Sequence, residues 1–472
     1  KNEIYARIVK KCGDRNYLDQ WARDVAKITA GRIDGIRARL ENPTSAQEAA
    51  FNSLLAALRR EINPNVDKEQ ALDMVAQHLT TLPVFDALFP NNAFSRNNPV
   101  AKRIQATVDA FNLSLTPEEQ EQERRFQEDV RAQIDGIRTA RGRQAVIHKL
   151  YEQFFSVALP KMAEKLGVVY TPPEVVDYIL RSVDYVLQQE FGRRLTNKNV
   201  HILDPFAGTG AFISRLLESG LIDPNDLQRK YREELHANEI MPLAYYIAAV
   251  NIEEAYCAAS GDNIEYEPFP GVVLTDTFQT TETTPEPIYK LACDNPTNGK
   301  RLKKQRHTTI QVIVGNPPYS VGQRSQNDGN QNEKYAKLDA RITETYAAKT
   351  TATLKKSLYD SYVKAFRWAS DRIANQGVVA FVSNGAYIDN NAMEGFRKSL
   401  VDEFASIYVF NLRGNQRTQG ELSRKEGGKI FGSGSRTPVA ITLLVKKPHN
   451  GGAKIVYRDI GDYLSREQKL GI

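Results

Sequence analysis

Two short runs of residues have the types and spacing needed for chemistry on an amino group. Asp204-Pro-Phe-Ala-Gly-Thr-Gly210 follows an apolar stretch, and its glycines let a backbone turn approach a ligand closely. The acid at its start disfavours a pyrophosphate and suits a cationic or amine-bearing ligand. In Asn316-Pro-Pro-Tyr319, two prolines leave their carbonyls free as acceptors, and Asn316 adds another beside an aromatic ring. This turn can hold a planar amino group and stack the ring that carries it; the alternative is a rigid turn with a buried tyrosine.

The elements around these runs alternate between strand and helix signals from about residue 166 onwards. Glu239 ends the second predicted strand, where a carboxylate is placed to bind ribose hydroxyls. Alternation of this kind predicts an α/β fold with a largely parallel sheet and helices on both faces. The predicted strands are Val200–Leu203, Leu235–Ala237, Val272–Leu274, Ile310–Val314, Val378–Val382, Ile407–Phe410 and Val439–Val445.

Residues 1–165 have helical patterns and predict a separate all-α domain before the α/β domain of residues 166–472. Ser45-x-x-Glu48 is typical of a capping box, and an apolar stripe of Phe51, Leu54, Leu55 and Leu58 follows it. In the second domain, the polar segment 320–356 interrupts the alternation. It is too long for an ordinary connection, which makes it a candidate functional loop.

The composition is that of a globular chain. Its 472 residues are 41% hydrophobic, and 63 Lys+Arg against 57 Asp+Glu give a net charge of +6, too mild to identify a partner. The three cysteines are far apart, which excludes a disulfide framework and a thiolate zinc site, and we find no metal constellation. No apolar run is long enough to span a membrane. Because the first residue is Lys1, we expect a piece of a longer chain or a processed one.

Together these runs resemble an S-adenosylmethionine-dependent amino-methyltransferase of the gamma-class N6-adenine DNA type. Three further segments strengthen the resemblance: Gly167–Val176 is similar to the family's motif before the glycine loop, Leu274–Phe278 to its third motif, and Lys429–Val439 to its target-base motif. The resemblance implies a Rossmann-like doubly wound methyltransferase sheet and S-adenosyl-L-methionine as the cofactor. At the cofactor's adenine, Asp262 competes with Asp276, which we prefer because it follows a clear strand.

Residue roles follow from the resemblance. It implies a catalytic turn of Asn316, Pro317, Pro318 and Tyr319, with Tyr319 and Phe431 on either side of a flipped target base. It implies cofactor contacts at Tyr170, Thr171, Pro172, Asp204, Pro205, Phe206, Ala207, Gly208, Thr209, Gly210, Phe212, Glu239, Ile240, Asp276 and Phe278.

A closer resemblance covers the helical region as well. Tyr5–Val9, Asp19–Asp24 and Asn411–Arg417 resemble the coupler and methyltransferase region of single-polypeptide Type I (Type ISP) restriction–modification enzymes. This implies that a nuclease, a helicase-like motor and a target-recognition domain belong to a longer chain. No G-x-x-x-x-G-K-[ST] loop is present, so neither DNA cleavage nor translocation is encoded here.

Two basic clusters suggest a double-stranded DNA partner, since phosphate contacts give affinity independent of sequence. Lys300–Arg306 holds five cations in seven residues, and Arg413–Arg436 holds six against two Glu. The predicted DNA-binding residues are Lys300, Arg301, Lys303, Lys304, Arg413, Arg417 and Arg436.

The expected function is therefore methyl transfer to N6 of a flipped adenine in DNA, as the modification core of a bacterial, cytoplasmic and nucleoid-associated restriction–modification enzyme. Three alternatives remain open. An N4-cytosine DNA enzyme and an N5-glutamine enzyme act on similar planar amino groups. A DNA-binding or coupling scaffold with a methyltransferase fold would be non-catalytic.

Overall fold

The computed structural model describes residues 15–88, 98–112, 116–118, 120–121, 124–125, 128, 171–261, 267–282, 297–318, 334–431, 436–448 and 452–472. Its helices are α1 (Arg15–Glu41), α2 (Ser45–Glu61), α3 (Lys68–Leu88), α4 (Pro99–Ala110), α5 (Pro173–Phe191), α6 (Ala211–Glu218), α7 (Leu227–Arg229), α8 (Pro242–Ser260), α9 (Gln279–Glu282), α10 (Asn298–His307), α11 (Ala336–Ile342), α12 (Ser361–Arg372), α13 (Glu394–Glu403), α14 (Gly420–Glu426) and α15 (Arg466–Leu470). Its strands are β1 (Ile202–Asp204), β2 (Leu235–Glu239), β3 (Val272–Leu274), β4 (Val312–Gly315), β5 (Gly377–Asn384), β6 (Ser406–Arg413), β7 (Val439–Lys446) and β8 (Lys454–Asp459).

The eight strands form one sheet in the order β3-β2-β1-β4-β5-β7-β6-β8. Strands β1–β5 are parallel, β7 runs antiparallel to both β5 and β6, and β8 is parallel to β6. All strands except β7 therefore end at the same side of the sheet, which we call the carboxyl edge; the opposite side is the amino edge. The order reverses between β1 and β4, and the crevice at such a switch point is where ligands bind in open α/β sheets.

Helices cover both faces of the sheet, because its central strands are apolar on both sides. Helices α5, α6 and α8 share one core with the apolar side chains of β1–β3. Helices α12 and α13 enclose a second core on the other face, with Ile313 of β4 and Phe381 of β5 at its centre. The predicted Rossmann-like α/β class is confirmed.

The predicted strands and helix starts agree with the structure except in three places. All seven predicted strands are present, but β8 was not foreseen because its residues, apart from Asp459, are exposed at the sheet edge and mix charged with apolar types. The capping box uses Thr44 and Gln47, one residue earlier than predicted. The segment 320–356 is not one loop: from Lys334 onwards it contains α11 and a following π-helical turn, with Leu338 and Tyr346 buried.

The helical unit (residues 15–112) packs directly on the rest of the chain. His78 of α3 bonds Tyr246 of α8 over 3.0 Å, and Asn98, the N-cap of α4, donates to the neighbouring Tyr245 over 3.2 Å. At the end of α2, Glu61 accepts a hydrogen bond from Asn298 over 2.9 Å. The predicted domain boundary at 165/166 lies outside the described residues. No helix in the described ranges is long and apolar enough to cross a membrane.

Candidate active site

The glycine loop connects β1 to α6 at the carboxyl edge. Gly208 and Gly210 have φ of +53° and +80°, a backbone region that favours glycine. Gly210 also lies against α8: a Cβ there would be 3.0 Å from Ala248 Cα. The loop is fastened to β2, since the Ala207 N–H donates to the Asn238 carbonyl over 2.9 Å. The two glycines thus provide a tight turn at the switch point of the sheet.

Asp204 is the buried acid of this loop, with 0% of its surface exposed. Its Oδ1 accepts the Phe206 N–H over 3.1 Å, whereas its buried Oδ2 has no partner among the described residues. Burial raises the pKa of Asp204 to about 8, and the nearby Glu239 charge acts in the same direction. A cationic ligand would stabilise the charged form of this buried carboxyl group. This agrees with the cationic or amine-bearing ligand expected from the sequence.

Glu239 ends β2 and is half-buried. Its Oε2 accepts the Gly208 N–H over 2.9 Å, and its Oε1 accepts the N–H groups of Ile240 and Met241, both over 2.9 Å. Burial raises the pKa of Glu239 to about 7, against the opposing effect of these three donors. Glu239 therefore braces the glycine loop from the neighbouring strand.

The predicted catalytic turn begins directly after β4, which lies beside β1. Asn316 Nδ2 donates to Thr171 Oγ1 over 2.9 Å, and this leaves the buried Oδ1 without a partner among the described residues. Thr171, predicted as a cofactor contact, thus orients the Asn316 amide. Gly315 just before it permits the close approach of β1, because a Cβ there would lie 2.9 Å from Asp204 Oδ1.

An aromatic wall (Phe206, Phe278 and Phe381) lies between the glycine loop and β5. The Phe206 ring centroid is 5.5 Å from that of Phe278 and 6.2 Å from that of Phe381. Phe278 follows β3 in the turn that Asp276 organises, and this acid accepts hydrogen bonds from Asn63 over 3.3 Å and Tyr335 over 2.8 Å. Its competitor Asp262 lies outside the described residues.

Two of the predicted DNA-binding residues come together at the carboxyl edge. Arg417 follows β6 and Arg436 precedes β7; both are exposed, and the Gln416 N–H donates to the Arg436 carbonyl over 3.0 Å. Lys304 lies toward the amino edge, where its charge lowers the pKa of His201 just before β1, although burial is the larger cause of that shift. Lys300 and Lys303 are half-buried on α10.

Other predicted residues are held inside the protein. Arg301 is 9% exposed and donates to the Phe269 carbonyl over 3.0 Å, so its guanidinium is not presented to DNA. Arg413 is paired with Asp459 and Asp462. Phe431 is 2% exposed and lies in the core, as does Phe212. The stacking role of Phe431 stays a prediction. Tyr170 and Tyr319 lie outside the described residues.

The remaining predicted residues occupy the loop and turn as follows. The Pro205 carbonyl accepts Thr277 Oγ1 over 2.6 Å, and the Thr209 carbonyl accepts Asn251 Nδ2 over 2.9 Å. Pro172 precedes α5, and Pro317 and Pro318 continue from Asn316. Sequence reasoning missed Asn63, Tyr335 and Gly315, since only the fold brings them to the site. Among the described residues, no group of three or more His, Cys, Asp or Glu could hold a metal ion.

Comparison with known proteins gives two family matches and several similar structures. The model described as "Type ISP restriction-modification enzyme, coupler domain" matches residues 17–142, and "N-6 DNA Methylase" matches residues 143–411. A nuclease-deletion mutant of the Type ISP enzyme LlaGI, solved with a DNA substrate mimic, is 45% identical with a TM-score of 0.89. The DNA-bound Type ISP enzyme LlaBIII is 44% identical with a TM-score of 0.90, and the DrdV–DNA complex 32% identical with 0.86. None of the curated proteins matches.

These comparisons also give the extent of the likeness. The LlaGI match covers 100% of this chain, and the LlaBIII and DrdV matches cover 99% each. The chain in turn spans 38% of the LlaGI mutant, 31% of LlaBIII and 44% of the DrdV chain.

A glycine loop at the switch point of a largely parallel sheet, together with the family match, defines the class as a DNA methyltransferase. The chain belongs to the N-6 DNA methylase family, in which its helical unit is a Type ISP coupler domain.

Proposed function

We propose that this chain transfers a methyl group from S-adenosyl-L-methionine to N6 of an adenine in DNA, as the coupler and modification core of a longer restriction–modification enzyme. One observation carries the proposal. The buried Asn316 Oδ1 has no partner among the described residues, and Asn316 directly follows β4, the strand beside β1 and its acid Asp204. An acceptor held in this way is suited to one hydrogen of a planar amino group.

The residues present fit the cofactor. The unpartnered buried Asp204 Oδ2 offers a carboxylate to a cationic group, and the positive φ of Gly208 and Gly210 allows the backbone close to it. Glu239 is placed for ribose hydroxyls at the end of β2, and the half-buried Phe206 of the glycine loop provides an apolar ring that packs on the buried Phe278. When bound, S-adenosyl-L-methionine supplies an electrophilic methyl group on a positively charged sulfur.

The chain's own part in the reaction is orientation of the amine. The lone pair of N6 is delocalised into the adenine ring, which makes the amine a poor nucleophile. Acceptors at Asn316 Oδ1 and the Pro317 carbonyl would hold the amino hydrogens and favour a tetrahedral nitrogen with its lone pair free. Because Thr171 already fixes the Asn316 amide over 2.9 Å, little reorganisation is needed when the base arrives.

The base must leave the duplex to reach this turn, at a cost of a few kcal/mol. Stacking on Tyr319 would offset roughly 1–3 kcal/mol of that cost. Arg417 and Arg436 lie at the same edge and are exposed, so they would hold the DNA backbone beside the site. We further propose that nuclease, motor and recognition domains belong to the longer chain. We place the enzyme in the bacterial cytoplasm, at the nucleoid.

Transfer of labelled methyl groups to duplex DNA tests this function. The wild-type chain, supplied with a recognition domain where required, should place label on N6 of adenine. Asn316→Ala should lower transfer by at least about a hundredfold while it still binds the cofactor, since the residue acts on the amine. Asn225→Ala is the matched control: it alters an exposed asparagine between α6 and α7 and should transfer normally.

The products separate the alternatives. Label on N4 of cytosine, or on a glutamine peptide in place of DNA, would contradict the adenine assignment. Cofactor binding without transfer to any substrate would favour the non-catalytic scaffold.

A further inference from the structure

The helical unit reaches the carboxyl edge of the sheet through a buried hydrogen bond. Asn63 lies in the turn between α2 and α3 and is 4% exposed. Its Nδ2 donates to Asp276 Oδ2 over 3.3 Å. A side chain of the coupler domain thus contacts an acid in the turn that carries the aromatic wall.

The orientation of the Asn63 amide is fixed by its own turn. Its Oδ1 accepts the Asn65 N–H over 2.9 Å, and its carbonyl accepts the Val66 N–H over 3.1 Å. With the oxygen held by Asn65, the amide must present its donor to Asp276. The contact is therefore a directed donor–carboxylate bond.

Asp276 joins three segments of the chain. Its Oδ1 accepts the N–H groups of Phe278 over 3.0 Å and Gln279 over 3.4 Å, within the turn after β3. Its Oδ2 accepts Asn63 from the helical unit and the Tyr335 hydroxyl, over 2.8 Å, from the segment after the catalytic turn. The two oxygens thus accept four donors, which is about the capacity of a carboxylate.

Two aromatic rings connect the Asp276 turn to the glycine loop. The Phe278 ring, held by this turn, packs on Phe206 of the glycine loop at 5.5 Å. The Tyr335 ring packs edge-on against Phe278 at 5.4 Å. A change in the Asp276 carboxylate would therefore reach the aromatic wall from two sides.

We propose that Asn63 is a positioning residue for methyl transfer: by holding Asp276, the docked helical unit sets the aromatic wall and with it the affinity for the cofactor. The inference rests on the proposed function, because it requires the cofactor to bind at the glycine loop beside the aromatic wall. It gives the coupler domain a part in completing the modification site.

Three charged side chains on the elements around this turn have other partners. Lys364 pairs with Asp339 over 2.9 Å and lies 5.1 Å from the Tyr335 ring centroid. Glu61 pairs with Arg103 over 2.9 Å, and Arg301 donates to backbone carbonyls near β3. Burial raises the pKa of Asp276 to about 6, while the donors Tyr335 and Asn63 oppose that rise.

Binding of S-adenosylhomocysteine to the 472-residue chain, measured by calorimetry between about pH 6 and pH 8, tests the inference. Asn63→Ala should weaken binding about tenfold at the alkaline end and further on acidification, because loss of a donor raises the Asp276 pKa. Asn63→Asp should bind worst at the alkaline end and recover on acidification, because two facing carboxyls can then share one proton. A contact that only stabilises the fold would not make the affinity of these two variants change in opposite directions with pH.

Gln77→Ala is the matched control. This buried amide of the same unit accepts the Leu243 N–H of α8 over 3.4 Å and does not reach Asp276, so its affinity should stay within about twofold of wild type. If an Asn63 variant fails to fold, Tyr335→Phe removes the other donor to Oδ2 from outside the helical unit. It should show the same loss on acidification as Asn63→Ala.

The outcomes separate the two proposals. If the wild type binds and both Asn63 variants follow its affinity at every pH, the inference fails while the proposed function stands. If the wild-type chain binds no S-adenosylhomocysteine, the proposed function fails and the inference with it.

Discussion

Asp204 and Asn316 lie at the ends of neighbouring strands, and each has one buried oxygen without a partner among the described residues. Such oxygens are costly, since a buried polar atom without a hydrogen bond typically destabilises a protein by about 1–3 kcal/mol. Their retention side by side is explained if ligands complete both. The free energy of unfolding of the free protein is thus lowered at the atoms that would bind cofactor and substrate.

Replacing Asp204 by Asn should therefore stabilise the free protein. The folded pKa of about 8 lies above the ordinary value of 3.8, so the folded state alone keeps the proton between these values and stability falls as pH rises. Asp204→Asn lacks this loss, which is at most about 6 kcal/mol across the window. The melting temperature of Asp204→Asn should exceed that of the wild type by more at about pH 8 than at about pH 5. A constant difference would contradict the shifted pKa of Asp204.

Gly315→Ala should disturb both strand ends together. The added Cβ would lie 2.9 Å from Asp204 Oδ1, so β4 or the carboxylate must move, at a cost of roughly 1–3 kcal/mol. Chemical denaturation and cofactor titration should both show a loss. Gly31→Ala, in α1 with nothing within 4 Å of the new Cβ, is the control and should stabilise slightly. Normal cofactor affinity in Gly315→Ala would show that the Asp204 position is not critical.

Among the elements, α3 and α8 form a buried seam between the helical unit and the sheet. His78 is 0% exposed and bonds Tyr246 through Nδ1 and Gln105 through Nε2, both over 3.0 Å. Burial lowers the pKa of His78 to about 4. The seam therefore requires a neutral imidazole.

Acid should loosen this seam. Between the ordinary His value of 6.5 and about 4, the unfolded state binds the proton and the folded state does not, so the contribution of His78 is present above 6.5 and lost toward pH 4. The free energy of unfolding should fall by up to about 3 kcal/mol over this window. In His78→Gln that part of the pH dependence should vanish, as measured by urea denaturation. The exposed His307→Gln should keep it, and an unchanged slope in His78→Gln would refute the assignment.

The same elements show how far sequence takes the fold. The central strands are continuous apolar runs, so their number and position could be predicted, whereas β8 could not because an exposed edge strand needs no apolar run. The glycine loop and Asn316 were predictable because their chemistry requires particular residue types at close spacing. Asn63 and Asp276 are 213 positions apart, and only packing joins them. The burial of Arg301 and Phe431 could not be predicted from the sequence either, since neighbours in space decide whether a side chain in a motif faces outward.

For the whole molecule, the carboxyl edge is the surface that the proposal assigns to DNA. It combines the predicted catalytic turn with the exposed Arg417 after β6 and Arg436 before β7, two strands beyond the switch point. The net charge of +6 does not identify this surface. The position of a few cations relative to the sheet does.

Salt dependence of DNA binding should report this arrangement. Arg417→Ala and Arg436→Ala should each weaken binding and reduce the slope of log affinity against log salt by about 1, as expected for one phosphate contact. Lys304→Ala changes a cation toward the amino edge and should leave the slope unaltered. Fluorescence anisotropy with duplex DNA at several salt concentrations measures all three. Equal effects at Lys304 would place DNA on a different surface.

The placement of β7 has a consequence for synthesis of the chain on the ribosome. Within the described sheet β6 bonds only to β7 and β8, yet β6 is translated before both. While residues 414–438 are being added, the growing chain has completed β5 but lacks the strand that covers its edge, and unpaired strand edges invite association with other chains. The family match ends at residue 411, inside β6. A fragment cut there would lack β7 and β8, and the edges of β5 and β6 that those strands cover would stay unpaired. A fragment that is to remain monomeric should extend at least through Asp459, the end of β8.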